Sequence, residues 1–268
     1  MYVDFMEQYL DLNHMKPAPL STIGSLQRTC YLPHHGVLRE SSASTKLRVV
    51  FNGSSSLANG DCLNRFLMTG PNLLPALADI LLRWRRHRFV FATDIEKMYR
   101  QILVHADDQS LQRILWRKDS ETEIKEYWLT TVTYGLACAP YLAIRTLHQL
   151  AVDEGDRHPE GAAVLRSDVY MDDILSGAST LQEAKEILRQ LVLVCKVGGF
   201  PLKKWSANHP QLLSTLPTED CLQQEARWWL PGKVMPPWDY GGNLATTSSP
   251  SPPANQRCPR SLSGQSYR

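Results

Sequence analysis

The chain has 268 residues, 43% of them hydrophobic and 21% charged, with a formal net charge of +2 at pH 7. That apolar content suffices for a core and excludes global disorder. The mild net charge alone points to no charged partner. Charge is unevenly spread, however: from Arg83 to Lys118 there are nine Lys or Arg against four Asp or Glu. This suits either a solvated face or a phosphate backbone. The six cysteines form no Cys-x-x-Cys pair, which argues against a zinc site or a disulfide framework and for a reducing compartment. With no run of 18 apolar residues and no charged-then-apolar leader, the expectation is an intracellular, cytoplasmic protein with no membrane partner.

Tyr2 to Met15 carries apolar residues between polar ones and reads as a helix ended by Pro17 and Pro19. Tyr31 to Val37 and Lys46 to Asn52 read as extended, because Leu47, Val49, Val50 and Phe51 are bounded by turn residues. Ser54 to Asn64 is a loop. Asn72 to Trp84 has helical spacing and runs into Arg85, Arg86, His87 and Arg88, cations that a helix C-terminus favours. Arg88 to Thr93 is a short apolar strand ending at Asp94. Ile114 to Trp116 and Tyr127 to Thr133 form a hairpin, and Pro140 to Val152 a helix. Asp168 to Ser176 is a strand, a turn and a strand. Thr180 and Glu183 form a capping box that opens a helix stopped by Gly198 and Gly199. This order implies an α+β fold, a mostly antiparallel sheet with helices packed on one face. Three regions follow: a helical lead-in over 1–29, a folded unit over 30–210, and a Pro/Ser-rich irregular tail over 217–268, which holds eight of the 17 prolines.

The chemistry concentrates in carboxylates. In Tyr170-Met171-Asp172-Asp173 two adjacent acids sit between apolar strand halves, Val169 and Ile174-Leu175. Hairpin turns tolerate Asp, but two carboxylates projecting from a buried strand pair repel each other unless a divalent cation and a third acid join them. Asp94 is the natural third group. As a bare carboxylate ending a hydrophobic strand it is otherwise a helix N-cap, with Glu96-Lys97 opening the helix. Three carboxylates holding two Mg²⁺ ions are what nucleotidyl transfer requires.

These segments resemble the third and first polymerase motifs of reverse transcriptases, and more narrowly the Pao/BEL class of long-terminal-repeat retrotransposons. The boxes carrying the resemblance run in order: YLPHHGV at 31–37, KLRVVFNGSS at 46–55, FATDIEKMYRQI at 91–102, YGLACAPYLAIR at 134–145, VYMDDIL at 169–175 and GGFPLKKWSAN at 198–208. The resemblance implies reverse-transcriptase-like fingers and palm over 30–210, with Asp94, Asp172 and Asp173 catalytic and binding two Mg²⁺, or Mn²⁺ in its place. It implies that Lys46 and Arg48 grip the triphosphate, that Tyr99 is the sugar gate, and that Tyr134, Gly135 and Pro140 pack on the nascent base pair. Tyr134 stands where retroviral relatives carry glutamine. Lys203 and Lys204 resemble the basic element near the triphosphate, one of them a general acid for pyrophosphate. The implied partners are an RNA or DNA template with primer, and deoxynucleoside triphosphates. Past Leu216 the sequence departs from the family, so thumb, protease, RNase H and integrase are expected to be missing from this chain, which would then polymerise poorly or not at all. The alternative is a catalytically inactive retroelement remnant or a domesticated nucleic-acid-binding module.

Overall fold

The computed structural model describes residues 1–19, 29–38, 47–57 and 60–222. The expectations for Lys46 and for the stretch from 223 onward lie outside the described residues.

Helix α1 spans Tyr2–Asp11, shorter than its apolar pattern implies. Asn13 turns left-handed at φ 56, and Met15–Pro17 continues as strand β1. Strands β2 (His34–Leu38) and β3 (Leu47–Phe51) pair antiparallel. After the single turn α2 (Leu63–Phe66), helix α3 begins only at Leu77 and runs to Arg86. Its pattern suggests a start near Asn72, but Pro71 and Pro75 push their preceding residues out of the helical region. Leu73 and Leu74 instead pack directly against a core.

Strand β4 (Phe89–Ile95) leads into a 3-10 turn at Met98–Gln101. Strands β5 (Arg113–Trp116) and β6 (Lys125–Leu129) pair as a hairpin, and β1 pairs with the other side of β6 as an edge. That edge position accommodates Pro17, which has no N–H to donate to a ladder. One core gathers Met6, Tyr9 and Met15 with Val49, Phe51, Ile114 and Leu129. Packing therefore runs without a break from α1 and β1 into β3, β5 and β6.

The second half builds a four-stranded antiparallel sheet of order β7-β8-β4-β9, from β7 (Val169–Tyr170), β8 (Asp173–Ala178) and β9 (Leu202–Ala207). Alternation along the strands divides their side chains between two faces. Phe91, Ile95, Ile174, Leu202 and Trp205 enter the main core with helices α4 (Ala139–Asp153), α5 (Pro159–Ser167) and α6 (Leu181–Val197). Val90, Ala92 and Leu175 lie on the other face beneath Ile80 and Trp84 of α3. Helices thus cover both faces, where the sequence implies one. The α3 pattern shows an apolar stripe without showing which side of the sheet receives it. Trp84 Nε1 fixes the docking by donating to the Phe91 carbonyl at 3.1 Å.

Helix α5 has no sequence signal, because Gly161-Ala162-Ala163 gives no apolar stripe. It forms against α6, where Gly161 comes so close that a Cβ would stand 2.7 Å from the Gln190 backbone. Gln190 Oε1 accepts from the Glu160 amide at 2.8 Å, satisfying one of the orphan donors that begin a helix. The Thr180–Glu183 capping box of α6 is present in both directions. A short helix α7, Pro210–Leu213, follows β9.

Candidate functional site

The apolar run Phe89–Ile95 forms an inner strand, flanked by β8 and β9, and this register brings the acids together. Asp94 lies within β4 rather than at a helix N-cap, directly opposite Asp173 of β8. Met171 and Asp172 form the turn between β7 and β8, with Met171 left-handed at φ 57. The Asp172 carbonyl accepts from the Ile95 amide at 2.7 Å, which ties that turn to the end of β4. All three acids therefore collect at one end of the sheet.

Their charges repel. Asp173 is pushed up to about 7, first by burial and then by Asp172 and Asp94, with Lys204 opposing. Asp172 keeps some access to solvent, yet loss of water around it and the nearby Asp94 raise it as well, with Lys204 and Arg48 pulling the other way. Lys204 Nζ lies 3.0 Å from Asp94 Oδ2. Side-chain directions do not close these acids into a cage: among the described residues no group of three His, Cys, Asp or Glu side chains is arranged to hold a metal ion. What the backbone provides is three adjacent oxygen donors carrying excess negative charge, the donor set that Mg²⁺ prefers.

The remaining residues divide. Tyr99 is half-buried between the two cores, and its hydroxyl is raised first by burial and then by the charge of Asp172. Arg48 is exposed on β3 and near enough to stabilise the Asp172 carboxylate. Tyr134 packs edge-on against Phe51 and donates its hydroxyl to the Val49 carbonyl. Gly135 has φ +94, and a Cβ there would lie 2.4 Å from the Phe51 carbonyl oxygen. Pro140 is exposed in the first turn of α4.

The two lysines part company. Lys204 is left-handed at φ 56, beside the register shift between β4 and β9. It turns to Asp94, whereas Lys203 forms an ion pair with Asp220. The segment bearing Asp220 is itself seated on β9: Cys221 bridges to Trp205, and the Leu222 amide donates to the Trp205 carbonyl at 2.9 Å. Sequence reasoning expects irregularity from 217 onward and so misses Asp220. It also misses Arg100, a cation buried immediately after Tyr99.

No protein-family model and no curated protein matches the sequence. Among solved structures, the fold is similar to the crystal structure of the prototype foamy virus protease-reverse transcriptase in its native form. The TM-score is 0.55 over 75% of this chain, at 16% identity. The chain spans 23% of the length of that viral chain. At this identity the likeness establishes the fold alone: a mixed α/β arrangement of antiparallel sheets and helices, of reverse-transcriptase-like type. Among the described residues no helix is long and apolar enough to cross a membrane.

Proposed function

We propose that this chain is the fingers–palm portion, over 30–210, of an RNA-directed DNA polymerase of Pao/BEL retrotransposon type. The observation that carries the reading is the direct opposition of Asp94 and Asp173 with Asp172 in the adjoining turn. This places three carboxylates on one sheet end, two of them raised by burial and mutual repulsion. Packing alone gives no reason to gather such charge. The six ordered sequence boxes and the reverse-transcriptase-like fold support the same reading.

In this reading Asp94, Asp172 and Asp173 would hold Mg²⁺ or Mn²⁺, which when bound supplies Lewis-acid activation of a primer hydroxyl and neutralises triphosphate charge. Arg48, together with Lys46, holds the triphosphate oxygens. The Tyr99 ring lies under the sugar and clashes with a 2′-hydroxyl, so deoxynucleotides are selected. Tyr134, Gly135 and Pro140 support the nascent base pair, Gly135 by keeping the backbone close to β3. Lys204, already beside Asp94, is the cation placed to give a proton to departing pyrophosphate. Lys203 is held away by Asp220. Template and primer are bound chiefly through phosphate contacts, which makes that binding salt-dependent.

One observation favours a rival, a catalytically silent nucleic-acid-binding module: the Lys204 ammonium already rests against Asp94. Equilibrium dialysis of the full chain with deoxythymidine triphosphate, with and without Mg²⁺, separates the two. The polymerase reading requires Mg²⁺-dependent retention that Asp94→Asn and Asp172→Asn weaken. Retention of primer–template duplex without any Mg²⁺-dependent nucleotide binding would leave the silent module.

A further inference from the structure

Arg100 is only 7% exposed, and no carboxylate comes within ion-pair reach of it among the described residues. Its guanidinium is instead clasped by the N-terminal helix and the turn after it. Nε donates to His14 Nδ1 at 2.8 Å, and both terminal nitrogens reach Gln8 Oε1 at 3.4 Å. The plane lies over the Tyr9 ring at 4.2 Å and near the Phe5 ring at 5.7 Å. A guanidinium this enclosed costs desolvation that neutral acceptors and ring faces offset only in part. If it served only to dock α1, an apolar side chain of similar volume would serve as well or better.

Its position in the chain suggests a different role. Arg100 and Tyr99 are neighbours in the tight turn Met98–Gln101, which is entered through left-handed Lys97 at φ 52. Successive residues of such a turn point in different directions, so anchoring one fixes the heading of the next. The same helix also shares a packing partner with Tyr134: Tyr9 and Tyr134 both pack against the Phe51 ring, and the Tyr134 hydroxyl donates to the Val49 carbonyl.

We infer that Arg100 is a positioning residue for Tyr99, and that α1 with the turn after it, through Gln8, Tyr9 and His14, sets sugar discrimination at a site it does not line. The inference rests on the polymerase reading, since it assigns the source of that site's selectivity. Arg100 touches no substrate; it acts by holding the turn so that the Tyr99 ring stays seated between the two cores.

The test is equilibrium dialysis of the full chain with Mg²⁺ and either deoxythymidine triphosphate or uridine triphosphate, comparing wild type, Tyr99→Val, Arg100→Met and Arg100→Lys. Tyr99→Val should lower the deoxy-to-ribo affinity ratio. Arg100→Met should lower it too, by roughly tenfold and through tighter ribonucleotide binding, because a displaced ring clashes less with the 2′-hydroxyl. Arg100→Lys, which keeps the charge without the stacking plane, should fall between and guards against a methionine variant that does not fold. If the Arg100 variants weaken both nucleotides equally, or keep the wild-type ratio while Tyr99→Val loses it, Arg100 is merely structural and the inference is overturned. If wild type binds neither nucleotide, the polymerase reading falls and takes the inference with it.

Discussion

Asp94 and Asp173 stand directly opposite each other across β4 and β8, next on the same sheet face to the apolar pair Ala92 and Leu175. Two acids in that position with Asp172 beside them make the site electrostatically unstable without a cation. Among the described residues Lys204, at 3.0 Å from Asp94, and Arg48 supply positive charge there.

The first consequence is a stability that falls as pH rises. Asp173 is raised from 3.8 to about 7 on folding, so between those values the folded chain binds more protons than the unfolded one. Stability is then highest below about pH 4 in this contribution and is lost as pH climbs toward 7. Asp173→Asn should therefore raise the melting temperature at pH 8 and leave it nearly unchanged at pH 4. Mg²⁺ should do the same to wild type, adding ~2.7 kcal/mol at about 100 times its Kd. Equal Mg²⁺ shifts at pH 5 and pH 8 would contradict this.

His14 contributes with the opposite sign. Burial, and next the Arg100 guanidinium, lower it from 6.5 to about 4, so the unfolded chain binds more protons between those values. Its contribution is complete above pH 6.5 and is lost on acidification toward pH 4, with a slope of at most about 1.36 kcal/mol per pH unit for one proton. His14→Gln should flatten the dependence of the urea midpoint on pH over that window. An unchanged slope would mean that folding leaves the proton affinity of His14 as it is in the unfolded chain.

The two lysines should behave differently. Lys204→Met removes an ammonium from beside Asp94, and so should weaken deoxynucleotide incorporation and push the neighbouring carboxylates further up. Lys203→Met releases Asp220 and should show instead as faster hydrogen exchange at the Leu222 amide, which bonds to β9. Identical exchange in the two variants would remove the distinction.

Gly135 is the backbone test. Its φ of +94 and the Phe51 carbonyl 2.4 Å from a would-be Cβ leave alanine both strained and clashing. Gly135→Ala should cost of order 1–3 kcal/mol in denaturant unfolding. A neutral substitution would show that the loop relaxes freely and does not hold Tyr134 against β3.

Much of this site is legible in the sequence. An apolar strand ending in Asp94 and an acidic pair inside an apolar hairpin are local signals, and the register that joins them follows from antiparallel pairing. The capping box of α6 is equally local. What escapes has no local signature. Arg100 looks like any surface cation in its segment, since its burial depends on α1, more than 80 residues away in sequence. The division of labour between Lys203 and Lys204 depends on a left-handed residue at a register shift and on Asp220. Helix α5 depends on the close approach that Gly161 permits, and the face chosen by α3 on tertiary packing alone.

The three carboxylates are tested most directly by Mg²⁺-dependent incorporation of deoxythymidine triphosphate on poly(rA)/oligo(dT) by the full chain, with Asp94→Asn and Asp172→Asn as paired controls of matched folding. Even slow incorporation is decisive, because the ratio to the controls is what is read. Each substitution should reduce the rate by on the order of 100-fold or more, as for loss of one preorganised electrostatic anchor. Incorporation indifferent to both substitutions, or none by folded wild type across the Mg²⁺ range, would contradict the polymerase reading.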